Sequence, residues 1–139
     1  MFLLDTDTLS YYLRRGDQYN ALRARVIAEI KYVATSVITI EEYLHYIAIP
    51  VRRARSTPSA NEAYAELFRF VSFLHSISIL EYDSRAQAVF DAYPSNIRQH
   101  NREDARIAAI AIINECIVVT NNTADFDELG VQNTNWIVG

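Results

Sequence analysis

Four short apolar runs constrain this chain more than anything else in it: FLL (2–4), YVATS (32–36), ISIL (77–80) and CIVVT (116–120). They read as apolar runs rather than as the alternation expected of a strand with one wet face. Segments of helical periodicity separate them. Strands buried on both faces and joined by helices make a parallel sheet with helices packed on each side. The expected architecture is therefore α/β, with a short central parallel sheet flanked by helices in three layers. At 139 residues the chain has the length of one domain, and neither a linker nor an internal repeat divides residues 1–139.

Apolar spacing places the helices. TLSYYLRR (8–15) carries Leu9, Tyr12 and Leu13 on one face and stops at Gly16. DQYNALRARVIAEI (17–30) is expected as one helix capped by Asp17, with Leu22, Val26 and Ile30 inward. ITIEEYLHYIAIPVRRAR (38–55) is helical with Thr39 as cap and a kink or break at Pro50. In the helix over 56–76, Tyr64, Leu67, Phe68, Val71 and Leu74 supply an apolar stripe. Asp83 or Ser84 caps RAQAVFDAY, and Pro94 ends it. SNIRQHN reads as a loop or frayed turn. REDARIAAIAIINE (102–115) carries the strongest helical pattern in the chain. NNTADF reads as a polar turn, and NWIV (135–138) as a last strand.

Composition narrows the setting. Hydrophobic residues make up 50% of the chain, and Gly and Pro number three each, which excludes a disordered or loop-rich all-β chain. Cys116 is the single cysteine, so no intramolecular disulfide can form, and its place beside IVV suits a small buried residue. That usage fits a reducing, cytoplasmic setting. No stretch approaches the ~20 apolar residues of a membrane span. The formal net charge of −4 argues weakly against nucleic acid. The bases, however, are almost all arginine, with Lys31 the only lysine. Arg14–Arg15 and Arg52, Arg53 and Arg55 form clusters. These suit solvated helix ends, and they also suit phosphate, which the planar guanidinium grips with two donors.

The acids fall in a pattern. Ligands of open parallel sheets bind outside the carboxyl ends of the strands. Asp5 directly follows FLL, and Thr120, Asn121 and Asn122 follow CIVV with Asp125 just beyond. Glu41 and Glu42 lie in the first turns of the helix after YVATS. Asp104 lies in the first turn of the helix from Arg102. Singly, these acids have plain explanations: Asp104, Glu41 and Glu42 favour a helix dipole, and Asp125 suits an Asx turn. Asp5 does not, since it puts a charge at the edge of the core. Carboxylates crowded together repel and hold protons more tightly, and a divalent cation relieves that. All-oxygen donors favour Mg2+ or Mn2+, and the histidines and lone cysteine offer no zinc-like spacing.

Two families share the LDTDT opening. Asp5 and Asp7 match the Asp-x-Asp start of haloacid-dehalogenase-like phosphatases, but Leu9 stands at the fifth motif position and the only lysine, Lys31, comes too early. A receiver domain fails on the same missing lysine. A fuller resemblance is to PIN domains, in particular the VapC type of bacterial toxin–antitoxin pairs. LLDTDTLSYYLR resembles the family's first block, with Asp5 as its first acid and Asp7 at a position usually Asn or Asp. TSVITIEEYLHYI resembles the second, where the acid three places after Thr39 is Glu42 rather than Glu41. REDARIAAIAI resembles the third, with Asp104, and CIVVTNNTADFDELGVQNTNW the fourth, including Phe126 and Trp136. Four ordered blocks thus run from residue 3 to 136. The departures are His45 and Ile47 near a position that is often glycine, RQHN before the third acid, and the fourth acid, for which Asn122 and Asp125 both stand as candidates.

The resemblance implies a PIN-like fold and a metal-dependent endoribonuclease acting as a toxin. It implies that Asp5, Glu42, Asp104 and Asp125 hold one or two Mg2+ or Mn2+ ions, with Thr6, Asp7, Thr120 and Asn122 supporting them. It implies an RNA substrate, a cognate VapB-like antitoxin and a homodimer. Tyr11, Tyr12 and Tyr43 are expected to line an antitoxin groove between the first and third helices. The alternatives are a non-catalytic PIN-like binding module and a phosphatase using Asp5.

Overall fold

The middle strand of the sheet is β1 (Phe2–Leu4), as expected of a run apolar on both faces. The computed structural model describes residues 1–14 and 16–137. Five strands lie in the order β3-β2-β1-β4-β5, and every neighbouring pair is parallel. The others are β2 (Val33–Ser36), β3 (Ser78–Leu80), β4 (Ile117–Val119) and β5 (Asn133–Thr134). Successive residues of a strand point to opposite faces. Leu3, Ala34 and Val118 therefore enter one core cluster, and Leu4, Val33 and Val119 enter the other. Both faces are covered, which is why these strands do not alternate with polar residues.

One layer contains α1 (Thr6–Leu13), α2 (Asn20–Ala28), α3 (Val37–Arg53) and α4 (Thr57–Leu74). The other contains α5 (Ser84–Ala92), α6 (Ser95–His100), α7 (Arg102–Ile113) and α8 (Thr123–Glu128). The three-layer α/β reading thus holds. Helix α7 is the most deeply set: Ala105 and the run from Ile107 to Ala111 are completely buried. Its alanines permit close approach to the sheet, and each buried isoleucine contributes ~1.5–3 kcal/mol. Among the described residues no helix is long and apolar enough to cross a membrane.

Several local expectations fail for identifiable reasons. Asp17 opens a 3-10 turn (Asp17–Tyr19), and α2 begins after Tyr19 with no side-chain cap. Ser36, not Thr39, caps α3, accepting from the Thr39 amide at 3.2 Å. That helix continues past Pro50 to Arg53 without a break. In α4, Leu67 and Leu74 of the expected stripe pack against the core, whereas Tyr64, Phe68 and Val71 are exposed, and Ala63, Phe70 and Phe73 face inward. The apolar residues of this helix surround it, so periodicity alone could not choose the face. Strand β3 is an edge and largely exposed, consistent with Ser78 inside ISIL. SNIRQHN and NNTADF each form a short helix, α6 and α8, whose apolar anchors Ile97 and Phe126 pack into the core. The last strand is Asn133–Thr134 rather than NWIV; Trp136 packs edge-on to Phe2 instead, at 4.8 Å between centroids. Val138 and Arg15 lie outside the described residues.

Candidate active site

Strand order reverses at β1: β2 and β3 lie on one side of it, β4 and β5 on the other. The crevice at such a switch point, beyond the carboxyl ends, is where open α/β sheets bind ligands. Asp5 and Thr120 occupy it, directly after β1 and β4. The Asp5 amide continues the sheet by donating to the Val119 carbonyl at 3.2 Å. Its side chain caps α1, with Oδ1 accepting from the Thr8 amide at 2.9 Å. Oδ2 accepts from the Thr120 hydroxyl at 2.6 Å. Thr120 in turn accepts from the Asn122 amide at 2.9 Å. Asp5 is only 5% exposed. Burial pushes its pKa above the usual carboxylate range, against the opposing pull of the Thr120 and Thr8 hydrogen bonds.

Glu42 approaches from α3. The cap at Ser36 fixes where α3 begins, and Glu42 then lies on its inner side while Glu41 is exposed. Consecutive helix residues point ~100° apart, so only one of the pair can face the crevice. The Thr6 hydroxyl, from the first turn of α1, donates to Glu42 Oε1 at 2.6 Å and lies 3.2 Å from the Thr39 hydroxyl. Burial raises the Glu42 pKa, Thr6 lowers it, and Glu103, Glu41 and Asp7 raise it further.

Asp104 comes from the first turn of α7. Its preceding residue at the helix start, Asn101, makes no side-chain cap. Among the described residues, the Asp104 carboxylate accepts no hydrogen bond. Burial, followed by the charges of Asp5, Glu42, Asp125 and Asp7, pushes its pKa up to about 7. Asp125, in the first turn of α8, accepts from the Asn122 side-chain amide at 2.6 Å. Asn122 therefore joins two arms of the site: its backbone amide binds Thr120 and its side chain orients Asp125.

The crevice thus brings Asp5, Glu42 and Asp125 within electrostatic reach of Asp104. Among the described residues, no three acids converge closely enough to form a ready-made cage for an ion. The two observations are compatible. Charge acts over many ångströms, whereas a cage requires ~2 Å contacts from several side chains at once. Mg2+ is commonly bound by one or two carboxylates, with water filling its remaining positions. The donors are all oxygen, which suits such an ion, and among the described residues Asp104 has no hydrogen-bond or ion-pair partner for its charge.

Some expectations are revised. Asp7 is exposed at the rim and makes no hydrogen bond among the described residues. Tyr43 belongs to the core: it is 2% exposed and donates to Glu66 Oε1 at 3.1 Å, tying α3 to α4. The groove that Tyr12 does line runs between the end of α1 and α4, about 640 Å3 in volume, with Leu13, Phe68, Arg14, Arg23 and Arg69. Lys31 precedes β2 and therefore lies at the amino end of the sheet, opposite the crevice. Glu103, Thr8 and the Thr6–Thr39 contact join the site without having been expected there. Thr8, three residues after a helix-capping Asp, carried a readable signal; the other two depend on how helices meet.

The PIN domain family model matches residues 2–132. Comparison with curated proteins gives no match. Among solved structures, FitAB bound to an IR36 DNA fragment is similar with a TM-score of 0.77 and 22% identity, over 99% of this chain and 96% of that one. DNA-bound VapBC from Salmonella typhimurium gives 0.74 and 22%, over 97% of each chain. VapBC-5 from Mycobacterium tuberculosis, a member of the VapBC family of toxin–antitoxin systems, gives 0.55 and 23%, over 96% of each. At these identities the likeness concerns the fold. The family match spans nearly the whole chain and contains all four crevice acids, and on it the chain belongs to the PIN domain family.

Proposed function

We propose that this chain is a metal-dependent endoribonuclease that acts as the toxin of a toxin–antitoxin pair. One observation carries the reading: burial and four neighbouring carboxylates push the Asp104 pKa up to about 7, and among the described residues its carboxylate has neither a hydrogen-bond donor nor an ion-pair partner. A site built to stay empty would neutralise that charge with an arginine or lysine. One built for Mg2+ or Mn2+ leaves it for the ion. Asp104 and Asp5 are the proposed principal ligands, with Glu42 and Asp125 binding directly or through water. The ion would supply an activated water and stabilise charge developing on a phosphodiester.

The chain's own residues do the positioning. Thr120 fixes Asp5, Thr6 fixes Glu42 and Asn122 fixes Asp125. These hydroxyl and amide donors keep the carboxylates oriented. The phosphatase alternative is disfavoured by the same geometry. Both Asp5 oxygens are engaged, by the Thr8 amide and Thr120, which weakens Asp5 as a nucleophile, and Lys31 lies at the far end of the sheet.

The partner reading rests on the toxin–antitoxin relatives and on the groove between α1 and α4, whose apolar and cationic lining suits an amphipathic antitoxin segment. A basic antitoxin side chain would complement the acids. The exposed stripe Tyr64, Phe68 and Val71 suits burial in a homodimer.

The deciding experiment offers the purified chain mixed RNA and a chromogenic phosphomonoester, with Mn2+ and with chelator. Cleavage of RNA alone, dependent on the ion and absent in Asp104→Asn, is the expected result. Ester hydrolysis would establish the phosphatase. Neither activity would establish a binding module.

A further inference from the structure

We propose that the outward face of α1, from Asp7 through Tyr11 to Arg14 and across to Tyr19, is a track that holds single-stranded RNA beside the acid crevice. This rests on the nuclease reading. Asp7, Tyr11 and Arg14 are spaced i, i+4, i+7 and so share one face of the helix. Helix α1 begins at the crevice, because Asp5 is its cap. At 1.5 Å per residue, Arg14 lies about 13 Å along the helix from Asp5.

At that far end three planar groups are assembled. The rings of Tyr11 and Tyr19 stack with centroids 4.9 Å apart and planes 10° from parallel. The Arg14 guanidinium lies 5.4 Å from the Tyr11 centroid. Both rings are half-buried, so each still meets solvent, and Arg14 is exposed and in no ion pair among the described residues. The turn that brings Tyr19 back against Tyr11 is held independently of the stack. Arg23 donates to the backbone carbonyls of Arg14 and Gly16 and to Asn20 Oδ1. Gly16 sits at φ 155°, where an added Cβ would come 3.2 Å from Gln18 Oε1. The stack is thus not needed to close the turn.

The substrate problem explains what it does. A crevice of carboxylates in a chain of net charge −4 repels a phosphate backbone, so affinity must come partly from contacts that do not depend on net charge. Aromatic faces stack on any base, and an arginine beside them takes the phosphate. Only unpaired bases expose their faces for this, so the ligand is single-stranded RNA or the loop of a folded one.

The test uses the full chain carrying Asp104→Asn, in chelator, with a short unstructured labelled oligoribonucleotide followed by fluorescence anisotropy. Tyr19→Ala is expected to weaken binding about ten-fold or more and Tyr19→Phe to leave it unchanged. Arg14→Gln, at an exposed site that does not threaten folding, should lower the slope of log affinity against log salt by about 0.7. In the active chain, Tyr19→Ala should raise KM and spare kcat. Unchanged RNA binding in both Tyr19→Ala and Arg14→Gln overturns the track while leaving a cleaving parent, and so the nuclease reading, intact. A parent that neither binds nor cleaves RNA overturns both. Loss of a co-expressed protein partner with RNA binding retained assigns the stack to that partner and also overturns the track.

Discussion

The hydroxyl of Thr120 donates a 2.6 Å hydrogen bond to Asp5 Oδ2 across the seam between β4 and β1, joining residues 115 positions apart. It closes the switch point of the sheet and fixes one carboxylate at the place where the fold leaves a crevice.

Thr120→Val keeps the shape and removes the donor. Because the hydrogen bond lowers the Asp5 pKa, its loss raises that pKa further. The acid limb of the pH–rate profile for RNA cleavage should move to higher pH, and activity should fall about 10- to 100-fold. An unchanged profile would show that Asp5 does not depend on Thr120 for its orientation or charge.

Asp104→Asn should abolish cleavage and leave the fold intact. Without divalent ions it should also change the dependence of stability on pH. The folded-state pKa is raised from 3.8 to about 7, so the native protein binds the proton more tightly than the unfolded chain. Stability from this group is fully present below pH ~4 and is lost as the pH rises through about 7. Melting in chelator should therefore show the variant gaining on the parent between pH 5 and pH 8. Added Mn2+ should raise the melting temperature of the parent far more than that of the variant. If the variant unfolds, Asp104 serves mainly the start of α7.

Glu42→Gln should abolish cleavage and Glu41→Gln should spare it. Glu42 is half-buried and bonded to Thr6, whereas Glu41 is exposed. Steady-state cleavage rates of the two variants check this directly. The reverse outcome would mean that α3 presents its other side to the substrate.

Tyr43→Phe should cost about 1 kcal/mol of stability through the lost bond to Glu66. It should leave both RNA cleavage and antitoxin binding unaltered, because the ring is core. Chemical denaturation and co-purification with the antitoxin measure the two effects. Impaired partner binding would return Tyr43 to the docking surface.

The layers of this fold were legible because they follow from periodicity. A strand flanked by helices on both faces needs apolar residues at successive positions, and Leu3 with Leu4 or Val118 with Val119 can satisfy that only in such a sheet. The position of Asp5 was legible for a related reason: a carboxylate directly after a buried strand must lie at the edge of the core. Choosing Glu42 over Glu41 needed the spacing of the second block, and the structure gives the cause in the Ser36 cap and the Thr6 hydroxyl.

What the sequence by itself determined was the set of elements whose burial repeats at short range, and the acids that punctuate them. Tertiary structure alone decided which faces meet. Tyr64, Phe68 and Val71 of α4 turned outward because Phe70 and Phe73 occupy the core instead, and α6 and α8 formed as helices because Ile97 and Phe126 have a core to enter. The pairing of Thr120 with Asp5 and of Thr6 with Glu42 was likewise set by strand order. The same is true of the charge state of Asp104. An isolated aspartate at a helix start is an ordinary acid; it becomes one that holds its proton near neutrality only when the fold buries it and β1, α3 and α8 bring three more carboxylates beside it.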